Sequence, residues 1–441
     1  MKKNVLIVPA GTEIGHEIFE ALCYSKHWNL IGANTVRDHS EILYDRLLLN
    51  FPSVYDPGFA EAVNRAVTRY HVDFVFPAHD EAIVQLAGNL QGAVFAGPSP
   101  HIARILRSKT ETLLALQDVV PTPCIYAPGN LPDRFPVFAK PDRGQGSRGA
   151  RQVDSREEYD ALCRKHENLV FQELLPGQEV TVDCYTSRNG WLRYAQPRER
   201  QRVSMGIASR MSTVCDPNLT AHATAISNTF GLFGPWFFQM KRAVDGTFKL
   251  LEVANRIAGS MGFQRALGVN LIDAFLHELS GHEVSFFSNS ISGLVYDRAL
   301  YEQIKWDYRP AVVYVDFDDT LRFEDGSVNY RLIGLLYGFR NNLKAKIVLL
   351  SRCADNLDNI LLSIGLRNLF HEIIVLDRAT PKSAHINESS AIFIDDSFAE
   401  RAEVFRAHGI PCFGPESCRM LQGCLRSAIS SEVIAENWTA C

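Results

Sequence analysis

What this chain lacks narrows its function before any motif is read. No apolar stretch approaches the ~18 residues that would suggest a membrane span. Two lysines precede an apolar run at the N-terminus, as in a signal peptide, but that run is only Val5 to Val8 before Pro9. It is shorter than an h-region, so a first β-strand, a cytoplasmic location and no membrane partner are expected. Bulk positive charge is missing too: the net charge is −5, which argues against a nucleic-acid or membrane-surface protein and requires any anionic ligand to be held locally. The ten cysteines, among them Cys23, Cys124, Cys184, Cys353 and Cys441, form no CxxC pair and no Cys/His cluster. They read as reduced thiols, mostly core filler. The segment AGTEIG after the first strand lacks the full GxGxxG fingerprint, and Asn34 and Asp38 are ambiguous ribose partners, so a substrate-side or structural role outweighs dinucleotide binding there.

What is present is a soluble, globular composition, 46% hydrophobic and 22% charged over 441 residues, enough for about two to four domains. From Asn4 to about Ile105, strands VLIV, NLIGAN, VDFVFPAHD and AVFAGPS alternate with helices, predicting a doubly wound parallel sheet. Asp80 and Glu81 fall at a strand's carboxyl end, where such sheets bind ligands; a solvated loop acid is the equal alternative. A helix over Ser108 to Asp118 and the turn VVPTPC lead into FPVFAKPDRGQGSRGAR. There a strand delivers Lys140 to a turn whose Gly144, Gly146 and Gly149 let backbone N–H groups approach an anion, with Ser147 as a further donor. The unit LVFQE, LLPGQ, EVTVDCY follows. Glu179 and Asp183 share a strand face by the period of two, and the period alone favours a solvent face for them. The stretch RERQRVSMGIASR, with Arg200, Arg202 and Arg210, is either a carboxylate-binding segment or a solvated loop. The hairpin PWFFQMKR, VDGT, FKLLEVANR ends in Gln239, Lys241, Glu252, Asn255 and Arg256, oxygen ligands suited to Mg²⁺ beside an arginine suited to phosphate.

In order, these pieces resemble the ATP-grasp superfamily over roughly Met1 to Ser290: an alternating α/β domain, a lysine ending a helix, a lysine before a glycine-rich loop, a QELLPGQE-like hinge and an acidic hairpin. The resemblance implies ATP and Mg²⁺ as cofactors. It implies that Lys109 and Lys140 contact the ATP phosphates while Gly144, Gly146, Ser147 and Gly149 close over them. Glu173 and Leu175 would edge the adenine, Glu179 would stand near the ribose, and Gln239 and Glu252 would be Mg²⁺ ligands. Arg256 would face the phosphates or an acyl phosphate. The family often shows Glu-x-Asn-Pro-Arg at the last site, whereas this chain has Glu-Val-Ala-Asn-Arg, so Ala254 stands at the usual asparagine position and Asn255 is the substitute.

Near Tyr308 to Pro310 the pattern restarts. The strand AVVYV ends in Asp316, Phe317, Asp318, Asp319 and Thr320; KIVLLS ends in Ser351; Lys382 stands in a turn; AIFI ends in Asp395 and Asp396. Alternation places Asp316 and Asp318 on one face. Four polar stations in this order closely resemble the haloacid dehalogenase superfamily over about Ala311 to Pro415. The resemblance implies that Asp316 attacks a phosphoryl group, that Asp318 protonates the leaving oxygen, and that Ser351 and Lys382 hold the phosphoryl oxygens. Asp316, Asp318, Asp395 and Asp396 form the implied Mg²⁺ site. The spacing from Asp316 to Ser351 and Lys382 leaves no room for a large cap.

The expected architecture is therefore α/β and multidomain: a doubly wound domain over 1–105, an ATP-grasp fold of two α+β subdomains over 106–305, and a Rossmann-like hydrolase domain over 306–441. The expected function is ATP-dependent ligation of a small carboxylic acid or amino acid to an amine through an acyl phosphate, coupled to a phosphatase acting on a phosphorylated small molecule. The alternatives are a small-molecule kinase, or a nucleotide-binding platform attached to an active phosphatase. Nothing in the sequence sets the oligomeric state.

Overall fold

The computed structural model describes residues 2–127, 132, 135–144, 146, 148–165, 168–204, 206–287, 294–299, 304, 306–352, 356–427, 432–436 and 438. Ser147, Cys353 and Cys441 lie outside the described residues. The chain divides into two compact units: Met1–Leu300 with Glu432–Cys441, and Tyr301–Ser431. No helix among the described residues is long and apolar enough to cross a membrane.

The first unit opens with a parallel sheet of β1 (Lys3–Val8), β2 (Trp28–Ala33), β3 (Arg46–Leu49), β4 (Phe74–Pro77) and β5 (Val94–Phe95), in the order β3-β2-β1-β4-β5. Both faces are covered. Val5 and Ile7 of β1 join one apolar cluster, while Leu6 and Val8 join another on the opposite face. That two-sided burial explains why these strands read as continuous apolar runs. Strand β3 was not foreseen: RLLL is short and unalternating, and such a run carries no period. A second departure lies at the far end of the chain, expected to belong to the third domain. Glu432–Ala435 pairs in parallel with β3, and Trp438 packs against Phe51.

Two further sheets follow. The smaller holds β6 (Ile125–Tyr126), β7 (Val137–Pro141), β8 (Arg151–Val153) and β9 (Leu169–Glu173) in the order β6-β9-β7-β8. The larger holds β10 (Glu179–Thr186), β11 (Leu192–Ser204), β12 (Ile207–Thr213), β13 (Gly234–Arg242), β14 (Phe248–Ala254) and β15 (Val295–Asp297), in the order β14-β13-β10-β11-β12-β15. The boundary expected at residue 105 does not separate compact bodies. Val5, Ile7, Phe74 and Phe76 of the first sheet pack in one core with Tyr185, Phe237 and Phe275 of the region beyond.

The second unit is a single parallel sheet of β16 (Val312–Val315), β17 (Lys346–Ser351), β18 (Glu372–Val375), β19 (Ala391–Ile394) and β20 (Cys412–Phe413), ordered β18-β17-β16-β19-β20. Val313 and Val315 face one core, Val312 and Tyr314 the other. The strand order reverses direction between β16 and β19. Ligands of doubly wound sheets bind at the carboxyl ends flanking such a reversal.

Candidate functional site

A cleft of about 220 Å³ lies between the smaller sheet and the larger sheet of the first unit, with Phe138 and Lys140 on one side and Glu179, Gln239 and Glu252 on the other. Strand β7 carries Lys140 into it. The side chain is buried, and Nζ donates to the Leu251 carbonyl at 3.1 Å, reaching across to the neighbouring sheet. Burial pushes its pKa down to about 8, against the pull of Glu252.

Lys109 enters from a different element. Rather than ending a helix, as expected, it opens the helix Lys109–Leu116. Asp142 fixes that N-terminus, accepting from Ser108 Oγ at 3.0 Å and from the Thr110 N–H at 2.8 Å. Lys109 Nζ donates to the carbonyls of Gly144, at 3.1 Å, and Asp142, at 3.3 Å. Burial lowers its pKa as well, again against Glu252. Both lysines thus reach the cleft with backbone carbonyls as their hydrogen-bond acceptors. In the loop, Gly146 (φ 65°) and Gly149 (φ 74°) adopt the left-handed conformation glycine favours. Gly144 and Gly146 line the cleft; Gly149 packs against Pro141 and is not among its lining residues.

At the hinge, Leu174 and Leu175 line the cleft, but Glu173 does not. Its carboxylate accepts from Lys249 Nζ at 2.6 Å and from the Cys124 N–H at 3.3 Å, so the adenine-edging role expected of its side chain is not available in this arrangement. Glu179 lines the cleft and pairs with Arg200 at 2.8 Å and Lys241 at 3.7 Å. Asp183 corrects the expected solvent face: it is fully buried, accepting from Arg198 Nε at 2.6 Å and Gln264 Nε2 at 2.7 Å. The stretch RERQRVSMGIASR forms most of β11 and β12 rather than a loop, and its Val203 and Gly206 overhang the cleft. Arg202 and Arg210 are held by Asp297, at 2.6 Å and 2.8 Å.

Gln239 and Glu252 are register partners on β13 and β14. Beyond them a cavity of about 50 Å³ shares Lys109, Gly144 and Glu252 with the cleft and is lined by Asp80, Asn255 and Arg256. Asn255 commits its amide nitrogen to the carbonyls of Phe233 and Pro235. Arg256 grips Asp80 with two nitrogens and lies 5.2 Å over the Phe237 ring. Burial works against the charge of Asp80, just beyond β4, but Arg256, together with Arg107 and His79, outweighs it and holds the carboxyl below the ordinary carboxylate range. Glu252 and Gln239 offer a hard cation one carboxylate and one amide oxygen, which fits Mg²⁺ shared with phosphate oxygens.

In the second unit, Asp316 follows β16 and Asp395 follows β19, on either side of the sheet's reversal. Lys382 bridges them, at 2.8 Å to Asp316 and 2.6 Å to Asp395. Burial pushes Asp316 up to about 7 despite the pull of Lys382. Ligand atoms of Asp316, Asp395 and Asp396 lie within 4.8 Å of one another, the one such cluster among the described residues, and they fit a hard divalent cation. Asp318, expected on the same face and among the ligands, is exposed and outside that cluster, because the strand ends at Val315. Ser351 is buried at the end of β17. A residue the pattern did not single out, Thr320, accepts from the Asp396 N–H at 3.0 Å and positions that carboxylate.

Comparison with known proteins places the first unit. The model of the ATP-grasp domain matches residues 106–213, and that of the ATP-grasp in the biosynthetic pathway with Ter operon matches residues 165–298. Neither reaches the second unit. Together the two matches run over residues 106–298, less than half of the chain. Similar solved structures include Rhizobium etli pyruvate carboxylase (16% identity, TM-score 0.54), of which the match covers 64% of this chain and 29% of that one. The biotin carboxylase domain of Hydrogenobacter thermophilus 2-oxoglutarate carboxylase, in complex with MgADP, ADP and bicarbonate, matches at 14% identity and TM-score 0.53, over 66% and 72% of the chains. The L-amino acid ligase of Bacillus licheniformis matches at 18% identity and TM-score 0.51, over 63% and 74%. At these identities the likeness is one of fold. No curated protein matches the chain.

Proposed function

We propose that the first unit is an ATP-dependent ligase joining a small carboxylic acid or amino acid to an amine. The observation that carries this reading is the convergence of Lys109 and Lys140, from separate elements, on a cleft whose opposite wall presents Glu252 and Gln239. The fold is shared with an L-amino acid ligase and with carboxylases, which adds weight. In the reaction, a carboxylate oxygen attacks the γ-phosphorus, ADP leaves, and the amine then displaces phosphate from the acyl phosphate, giving up a proton. Lys109 and Lys140 neutralise the phosphates and hold them in line, Leu175 packs against the base, and Glu179 accepts from the ribose. Gly144 and Gly146, which line the cleft, bring the loop backbone against the phosphates. Glu252 and Gln239 would hold Mg²⁺, which supplies charge neutralisation at the transferred phosphoryl group. Arg256, oriented by Asp80, faces the acyl phosphate.

The second unit we read as a phosphatase of the haloacid dehalogenase type. The placement of Asp316 and Asp395 at the reversal of a parallel sheet, with Lys382 between them, supports this. Asp316 attacks phosphorus, Asp318 protonates the departing alkoxide and then activates water, and Ser351 and Lys382 bind the phosphoryl oxygens.

One experiment tests both readings: the chain with Mg-ATP and a panel of amino acids and small carboxylic acids, with mass detection of products. A coupled mass lost in Lys140→Ala but kept in Asp316→Asn supports the ligase. Phosphate release from phosphoesters without ATP, lost in Asp316→Asn, supports the phosphatase. ADP formation without a coupled mass would point instead to a small-molecule kinase, and ADP binding without turnover to a nucleotide platform.

A further inference from the structure

The cleft's charge census is lopsided. Among the described residues that line it, Lys109, Lys140, Arg148, Arg200 and Lys241 are cationic, and only Glu179 and Glu252 are carboxylates. Glu179 is already engaged by Arg200 and Lys241. Glu252 is therefore the single carboxylate left to bind a cation. Gln239 opposite adds a neutral oxygen, and Ala254 adds none. Asn255 turns its amide nitrogen to two carbonyls and lines the smaller cavity instead. A Mg²⁺ ion keeps its waters readily and needs one or two carboxylates besides phosphate oxygens. One ion is provided for here, and among the described residues lining the cleft a second has no carboxylate of its own. The lysines supply the balance. Lys140 is buried and Lys109 half-buried, both with backbone carbonyls as acceptors, so they are cations placed at a cost that an anion would offset.

We propose that this cleft takes a nucleoside di- or triphosphate with a single divalent cation, and that Lys109 and Lys140, rather than metal, do most of the phosphate neutralisation, so that nucleotide binds even without metal. The inference rests on the nucleotide reading above and goes further, to the form of the ligand.

The test is ADP binding by calorimetry to the unaltered full chain, once with Mg²⁺ and once in excess EDTA. Mn²⁺ bound per ADP is then counted by electron paramagnetic resonance in the Asp316→Asn, Asp395→Asn double variant, which silences the acidic cluster of the second unit. The expected results are an ADP affinity that falls by less than about tenfold in EDTA, and one Mn²⁺ per bound ADP. In the same background, Glu252→Gln should lose that Mn²⁺ while still binding ADP in EDTA, and Lys140→Met should lose ADP binding in EDTA. Binding that requires Mg²⁺, or two Mn²⁺ per ADP, overturns this proposal and leaves the nucleotide site standing. No ADP binding in either buffer overturns both.

Discussion

Lys140→Met should weaken nucleotide binding and, in the ligand-free protein, raise stability. Lys140 is 7% exposed, and its pKa falls from 10.5 to about 8. That difference corresponds to about 3 kcal/mol charged against the folded state when the lysine is protonated. The folded pKa lies below the unfolded one, so between pH 8 and pH 10.5 the unfolded chain binds more protons and stability rises with pH. Below about pH 8 the penalty is present in full. Methionine keeps most of the apolar stem and removes the charge, while giving up the hydrogen bond to the Leu251 carbonyl, worth about 1 kcal/mol. The variant should therefore gain about 2 kcal/mol at pH 7 and lose up to about 1 kcal/mol at pH 10.5, where the charge penalty has nearly gone and the lost hydrogen bond remains. Urea unfolding at the two pH values reads this directly. Adding ADP should reverse the order at pH 7, because ligand stabilises only the parent chain. A Lys140→Met chain less stable than the parent at pH 7 would refute the reasoning, since the lysine would then be a structural group and not a ligand-binding one.

Arg198→Ala should cost about 3 to 5 kcal/mol in urea unfolding, because it strands the buried Asp183 carboxylate; replacing both partners by leucine and methionine should come close to neutral. Asp80→Asn removes the charge that orients Arg256, and should leave ADP affinity unchanged while lowering kcat/KM for the carboxylate substrate by about tenfold. Glu173→Gln should alter ADP binding by less than about threefold, since Lys249 and not the nucleotide engages that side chain. Asp316→Asn should abolish phosphoester turnover by at least about a thousandfold in steady-state assays.

What could be read from the sequence was local. An apolar run ending in a polar residue marks a strand and its carboxyl end, and that rule pointed to Asp316, Ser351 and Asp395, at or just beyond strand ends, and to Lys140 and Glu252, inside the last residues of theirs. What could not be read was the partner of each group. Arg256 meets Asp80 from 176 residues away, and Lys140 meets Leu251 from 111 away. No periodicity encodes contacts of that range. The same limit misjudged Asp183. A carboxylate on an alternating strand reads as solvent-facing until Arg198 and Gln264 are seen closing over it.

Glu173 and Glu179 make the point sharpest, because they stand at opposite ends of one hinge and look equivalent in sequence. Glu173 closes β9 and spends its charge on Lys249, away from the cleft. Glu179 opens β10 and lines the cleft, but with Arg200 and Lys241 at its oxygens. A carboxylate so occupied can accept a ribose hydroxyl only on its remaining lone pairs, so its contribution to nucleotide binding is set by how far Arg200 yields. Arg200 also donates to the Gly206 carbonyl at 2.7 Å, at the turn between β11 and β12. The overhanging hairpin and the ribose contact proposed for Glu179 are therefore tied through one guanidinium. Arg200→Lys, which cannot span both acceptors with a planar fork, should loosen the hairpin and raise the Kd for ADP while leaving the cleft wall at Leu175 intact. Adenosine, which lacks the phosphates, should lose affinity by the same factor as ADP, because both ligands keep the ribose contact. A loss for ADP with adenosine unaffected would place Arg200 on the phosphates instead.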